Sequence, residues 1–561
     1  MRNRLSSWRA AKMMSTKPEA AGEEASSRRR ELVLLLAAWA VLAAMIVLLA
    51  KQNLSVPGLY YDEAVFAGLA KDFITGNVHG QHMPNNEVVV FLGRPFPVFV
   101  QPYLGALKSW MLMPPFTLFG INVAVLRLTN LCWASIALLL FMLATWRWLG
   151  IRAALIAGPV LATDPAYFFL GVLDWGATGP SFICRCASFY LIVRWCRQKR
   201  AAQLFFAAFF AGLGFFNKID FAVLLIGSVI AGTFCYGRLL RRAVREQLLH
   251  TAFACLGFLL AASPILFKMP GLLSYGLSGK ASSGPTEFAD KLHTMVSTYD
   301  GSYFYRLMDA GGAFEKMFQE PTQIRSLAGV IFLIVSSAWL LAMAASRRKS
   351  RARVARFLLL AAALITIGVF VLPGAVRIHH GVLVFPLPQL VIAVAIASVW
   401  KTGSTSKRPA VAVRTLALLA IAVLVASQLW VISKTQTLIR ETGGRGRWSD
   451  SLDAFCRENR HRTDLTIVSL DWGFNEQLAF LTNGPKLYEP VWALGHRIPA
   501  GTPLVKNPSS VYLVHPHEYA VAPESAPYSY FAENGDDDAE IQPYFDRRGQ
   551  VAFYTIRFRP Q

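Results

Sequence analysis

The chain has 561 residues, of which 54% are hydrophobic and only 16% charged. That apolar share exceeds the roughly 45–50% of an average soluble domain and points to a membrane protein. The formal charge of +22 would suit nucleic acid if it were clustered on one soluble face, but the Lys and Arg residues fall in short stretches between apolar runs, which excludes that reading. Seven cysteines, six of them in or beside apolar segments, supply no disulfide framework and no paired Cys-x-x-Cys zinc spacing.

Residues 1–31 form a polar, basic tail ending in Arg28-Arg29-Arg30. The apolar run that follows is too long for a signal-peptide core of ~7–15 residues and suits an uncleaved first membrane helix with a cytoplasmic N-terminus. Further runs lie near 123–146, 153–171, 177–195, 202–216, 220–237, 249–268, 327–346, 357–373, 381–400 and 412–431, so about eleven spans are expected with the first at 32–50. Every second loop is basic: Arg147 to Arg152, Arg194 to Arg200, Arg238 to Arg245, Arg347 to Arg353 and Lys401 to Arg408. The alternate short loops carry almost no positive charge, which sets the orientation by the positive-inside rule.

Three pieces on the outer side are longer than connectors. In the first, 51–122, Val65, Phe66, Leu69 and Phe73 recur at helical spacing, so the segment from Tyr60 reads as an amphipathic helix lying on the membrane face. Trp110 to Phe119, short and broken by Pro114-Pro115, reads as a second interfacial element. The second piece is 269–326. The third begins near 435, where Leu465–Leu470 and Ser510–Val514 read as buried strands of a small α/β domain covering 435–561. The expected fold class is thus a polytopic α-helical membrane domain, 32–434, with a small extracytoplasmic α/β domain.

Ionisable residues at the outer ends of apolar helices are the informative positions, because charge near the membrane is costly to bury. They are Asp62-Glu63, Asp164 and Asp174, Lys218 with Asp220, and Arg377 with His379-His380, all on one side. Each also has a structural reading: Asp62-Glu63 as a helix cap, Asp164-Pro165 as a helix end, Asp174-Trp-Gly as a turn, Lys218 as a snorkelling cation and the histidine pair as interfacial loop residues.

These residues carry a family resemblance. An N-terminal helix followed by Tyr61-Asp62-Glu63-Ala64 in a large outer loop resembles the GT-C glycosyltransferases, in the protein O-mannosyltransferase and aminoarabinose-transferase branch with PMT-type, RgtA/B/C/D-like domains. The likeness runs through Asp164-Pro-Ala-Tyr167, Gly212-Leu-Gly-Phe-Phe-Asn-Lys218 and Arg377-Ile-His-His380 with Pro386. It covers about 30–400, and departs at Asn217 and at the His-His pair.

The resemblance implies transfer of a sugar from a polyprenyl-phosphate carrier to a hydroxyl of a lipid, glycan or protein, normally with inversion, in a bacterial-type inner membrane. Its partners would be that lipid-linked sugar, its acceptor and membrane lipid, without nucleic acid. No cofactor is assigned, and divalent-metal use is left open. Such chemistry needs a carboxylate to take the acceptor proton, and Asp62 is the expected base with Glu63 and Asp164 beside it. Cations must stabilise the leaving phosphate, a task expected of Lys218 and Arg377, with His379 and His380. Tyr61, Asp174, Asp220 and Arg94 are expected to orient substrate. The rival readings are a surface-glycan polymerase or ligase and a secondary transporter, though no repeated halves are visible.

Overall fold

The computed structural model describes residues 18–80, 82, 86–173, 175–277, 285–314, 316–344, 349–374, 376–400, 407–490, 506–521, 532, 535 and 538–559. Helix α1 (Pro18–Ala50) leads through a 3-10 turn to α2 (Tyr61–Thr75). A three-stranded antiparallel sheet follows, of β1 (Glu87–Phe91), β2 (Arg94–Gln101) and β3 (Leu104–Gly105), and then α3 (Leu107–Phe119). The bundle comprises α4 (Val123–Leu149), α5 (Ile151–Ala162), α6 (Pro165–Leu173), α7 (Thr178–Gln198), α8 (Ala201–Asn217), α9 (Phe221–Glu246) and α10 (Leu248–Leu277). It continues through α11 (Pro285–Tyr299), α12 (Tyr303–Asp309), α13 (Ala328–Ala344), α14 (Lys349–Val371), α15 (Ile378–Gly381), α16 (Leu387–Val399) and α17 (Lys407–Thr442).

The eleven apolar runs lie on helices of this bundle, with 153–171 divided between α5 and α6 and 381–400 between α15 and α16, but by length and composition seven helices among the described residues are fit to cross a membrane, or up to eight if a bent pair counts as one span. That pair is α5 and α6, which meet at 63°. The run expected as one helix over 153–171 is therefore broken. Pro165 has no N–H to continue the hydrogen-bond ladder, and Asp164 restarts the chain by accepting from the backbone N–H groups of Ala166 (3.0 Å) and Tyr167 (3.3 Å).

The remaining elements form the C-terminal α/β unit: α18 (Ser451–Asn459), β4 (Thr466–Ser469), α19 (Asn475–Leu481), β5 (Lys486–Tyr488), β6 (Ser510–Val514), β7 (Ala539–Phe545) and β8 (Val551–Phe558). The strand order is β5-β4-β6-β8-β7. Strand β4 pairs in parallel with β5 and β6, whereas β8 is antiparallel to β6 and β7. Alternating side chains build a core on each face: Ile467, Val511, Leu513 and Phe553 pack under Phe455 and Leu478, while Val468, Tyr512, Ile556 and Phe558 fill the other side.

Helix α2 corrects the interfacial expectation. Its apolar stripe of Val65, Phe66 and Leu69 is buried, but so are Lys71 and Asp72 on its polar side. Lys71 Nζ donates to the carbonyls of Ala479 (2.7 Å), Phe480 (3.1 Å) and Thr482 (2.5 Å), supplying partners to the unsatisfied C-terminal carbonyls of α19. Asp72 receives His79 and His82, and His82 reaches on to Glu476 of α19 at 3.1 Å. The C-terminal unit thus covers the face that periodicity alone assigns to water.

Candidate active site

The N-terminal turn of α2 is held by a buried ion pair. Arg127, fully buried on α4, directs Nε (3.0 Å) and Nη2 (2.8 Å) to Glu63. Its other donors reach the carbonyls of Asn53, Pro57 and Gly58. All five guanidinium N–H groups are used, so chain 53–63 is tied to α4 at Asn53, Pro57, Gly58 and Glu63. The two residues after that turn face different ways: Glu63 points to Arg127, and Asp62 points to Trp175, whose indole N–H donates to its carboxylate.

Cations surround Asp62. Lys218, Lys108 and Arg377 all act on its charge, and burial nevertheless outweighs them and raises its pKa to about 6, with Glu63 adding to the rise. Lys108 is buried in α3, lies over the Phe66 ring at 5.0 Å and donates to the Gly176 carbonyl at 3.2 Å. Arg377 lies 3.4 Å from the centroid of Phe314, and Phe314 stacks on Trp175. Tyr60 stacks on Trp448 at 4.1 Å and meets Trp175 edge-on at 5.5 Å, so the C-terminal segment contributes to the wall.

A second line of polar groups borders the same wall. Asp220 accepts from Lys218 (3.1 Å) and from His380 Nδ1 (3.0 Å), and His380 Nε2 lies 3.0 Å from His379 Nε2. Burial acts to raise the Asp220 pKa, but Lys218 and His380 prevail and hold it at about 2. The His379 ring meets Trp175 at 6.1 Å. Asn217 bridges to the Ala177 carbonyl at 2.8 Å, which ties the end of α8 to the Trp175 loop.

Of the residues expected from sequence, Asp62, Lys218, Asp220, Arg377, His379 and His380 are brought together. Glu63 is adjacent but engaged with Arg127. Asp164 is occupied as a cap and as acceptor for Gln389 Nε2 at 3.0 Å. Tyr61 packs on Trp472 at 4.3 Å. Arg94 is not brought to the cluster: it donates to the Phe73 and Ile74 carbonyls at the opposite end of α2. Asp174 lies outside the described residues. Lys108, Trp175 and Arg127 were missed, although a lone Lys in 104–119 and an Arg inside an apolar helix are the kind of costly charge that signals a site. Among the described residues no group of three or more His, Cys, Asp or Glu is arranged to hold a metal ion.

Residues 105–267 match the dolichyl-phosphate-mannose-protein mannosyltransferase family. The whole architecture is similar to the crystal structure of ArnT from Cupriavidus metallidurans bound to undecaprenyl phosphate, with TM-score 0.55 and 14% identity over 94% of this chain and 99% of that one. The chain thus has an ArnT-like fold. An oligosaccharyltransferase from Archaeoglobus fulgidus is a more distant likeness, at TM-score 0.47 and 14% identity over 81% of this chain and 64% of its own, and nothing about the site rests on it. No curated protein matches by sequence. The matched segment contains Lys108, Lys218 and Asp220, while Asp62, Arg377 and the histidine pair lie outside it.

Proposed function

We propose that this chain is a membrane glycosyltransferase that moves a sugar from a polyprenyl-phosphate carrier to a hydroxyl of a lipid, glycan or protein on the outer face of a bacterial-type inner membrane. The observation that carries the reading is a part-buried carboxylate, Asp62, set among Lys108, Lys218 and Arg377. A pKa of about 6 leaves it ionised at neutral pH and basic enough to accept a proton, as general-base catalysis requires.

The acceptor oxygen bonds to the anomeric carbon, the C–O bond to phosphate breaks with its electron pair going to the phosphate, and Asp62 takes the acceptor proton. The three cations stabilise the departing charge, so no second carboxylic acid is needed. Attack from the side opposite the phosphate inverts the anomeric centre. Glu63 sets the helix end that carries Asp62, Tyr61 seats it against Trp472, and Asp220 holds Lys218. The undecaprenyl phosphate bound by ArnT is in keeping with this donor class. The basic loops that alternate along the chain support a cytoplasmic N-terminus and an outer location for the cluster and the C-terminal unit.

The test is transfer by purified full-length protein given a radiolabelled polyprenyl-phosphate sugar. Release of label to an acceptor or to water supports the enzyme. Carrier-independent solute uptake into vesicles, without either reaction, replaces it with a transporter.

A further inference from the structure

His379 and His380 are neighbours in sequence, yet their rings face each other, Nε2 to Nε2 at 3.0 Å, and His380 Nδ1 sits 3.0 Å from Asp220 Oδ2. An ionised carboxylate only accepts, so His380 Nδ1 carries the hydrogen that it donates to Asp220. In the neutral ring the His380 Nε2 is then an acceptor, and His379 Nε2 must be the donor to it. The His379 Nδ1 is thereby left with a lone pair. That atom is buried and has no hydrogen-bond partner among the described residues, a costly state for a polar group unless a ligand completes it.

Its surroundings say which ligand group. Gly176, a residue with no side chain, lies beside that atom: a Cβ built there would be 3.8 Å from His379 Nδ1. Lys218 and Arg377, the cations assigned to the phosphate, are near enough to act on the His379 charge, and its ring meets Trp175, the donor to Asp62, at 6.1 Å. A group held near both the phosphate cations and the tryptophan that contacts the base is the glycosyl unit in transit.

We propose that His379 Nδ1 accepts a hydrogen bond from a hydroxyl of the transferred sugar, with Asp220 and His380 fixing its tautomer, so that this chain of three residues selects the sugar. The inference rests on the donor-site reading above and removes the histidine pair from the phosphate anchors.

The experiment compares binding of bare undecaprenyl phosphate with binding of undecaprenyl-phosphoryl mannose, glucose, galactose and arabinose to the full-length protein, as wild type, His379→Phe and His379→Gln. At least one sugar-bearing lipid should bind wild type roughly tenfold tighter than the bare lipid, the scale of one buried hydrogen bond. His379→Phe should remove that advantage and keep bare-lipid affinity, whereas His379→Gln, whose amide oxygen can accept in place of Nδ1, should restore part of it. An advantage that survives His379→Phe, or that wild type never shows, overturns the proposal. Failure of wild type to bind even the bare lipid instead sinks the donor-site reading, and this inference with it.

Discussion

Trp175 donates its indole N–H to the Asp62 carboxylate, and in doing so points the oxygens of a helix-end acid into a cationic pocket rather than toward the helix's own N–H groups. Asp62→Asn keeps an oxygen for that contact while removing the base. Sugar transfer should fall by about 10²-fold with donor binding retained. Because burial holds the Asp62 pKa at about 6, wild-type kcat/KM should drop as pH falls through about 6, and that limb should vanish in the variant. A variant retaining more than about a tenth of the wild-type rate would move the base elsewhere.

Lys108→Met preserves the stem and removes the charge. Affinity for a polyprenyl-phosphate sugar should weaken by about tenfold or more, on the scale of a charge-assisted hydrogen bond. Lys108 also lowers the Asp62 pKa, so its loss should move the acid limb of the rate profile to higher pH. Unchanged donor affinity in equilibrium binding would exclude Lys108 from the phosphate site.

Glu63→Gln discriminates scaffold from chemistry. It leaves the buried Arg127 without its counter-charge, which should cost about 3 kcal/mol or more of stability, seen as a lower melting temperature in detergent. Any rate loss should recover under conditions that restore folding, such as added lipid or lower temperature. A variant that melts like wild type yet fails in transfer would assign Glu63 to the reaction.

His82 makes the junction between α2 and α19 pH-dependent. Burial alone would lower its pKa, but Glu476 and Asp72 prevail and raise it to about 10, above the ordinary value of 6.5. The stabilisation it gives is therefore complete below about pH 6.5 and is lost as pH rises through about 10. Melting temperature should fall over that window in wild type and be flatter in His82→Gln, which should itself be destabilised by about 3 kcal/mol at neutral pH. Equal pH dependence in the two proteins would contradict the assignment.

Reporter fusions at Lys349 and Gly446 test the orientation. A cytoplasmic signal at Lys349 and an outer one at Gly446 are expected, and a cytoplasmic signal at Gly446 would require one crossing more or fewer before α17.

The helices were legible because crossing a membrane imposes a run of about twenty apolar residues that no neighbour can disguise. The positions of Asp62, Lys218 and Arg377 followed from the same cost of burying charge. What local pattern could not show was covering. The Val65, Phe66, Leu69 stripe of α2 reads as amphipathic whether its other side meets water or α19, and only the partner decides. The break at Thr163-Asp164 was signalled by Asp164-Pro165, a helix end in the middle of an apolar run long enough for one span, and Arg94 lay in the right loop but at the wrong end of α2. Trp175 and Lys108 belong to the pocket through contacts with residues more than forty positions away, Asp62 for the first and Phe66 for the second, which spacing along the chain does not encode.

The three hydrogen bonds from Lys71 to the end of α19 bear on how such proteins can be taken apart. The same helix that presents Asp62 closes the carbonyl end of a helix in the C-terminal unit, so the two parts share one piece of secondary structure. Truncation after Thr442 would uncover Lys71 and remove the three carbonyls it donates to, and a chimaera carrying a foreign C-terminal unit would lose those contacts unless the acceptors for Lys71 travelled with it. A working exchange between relatives should therefore carry α2 and α19 together.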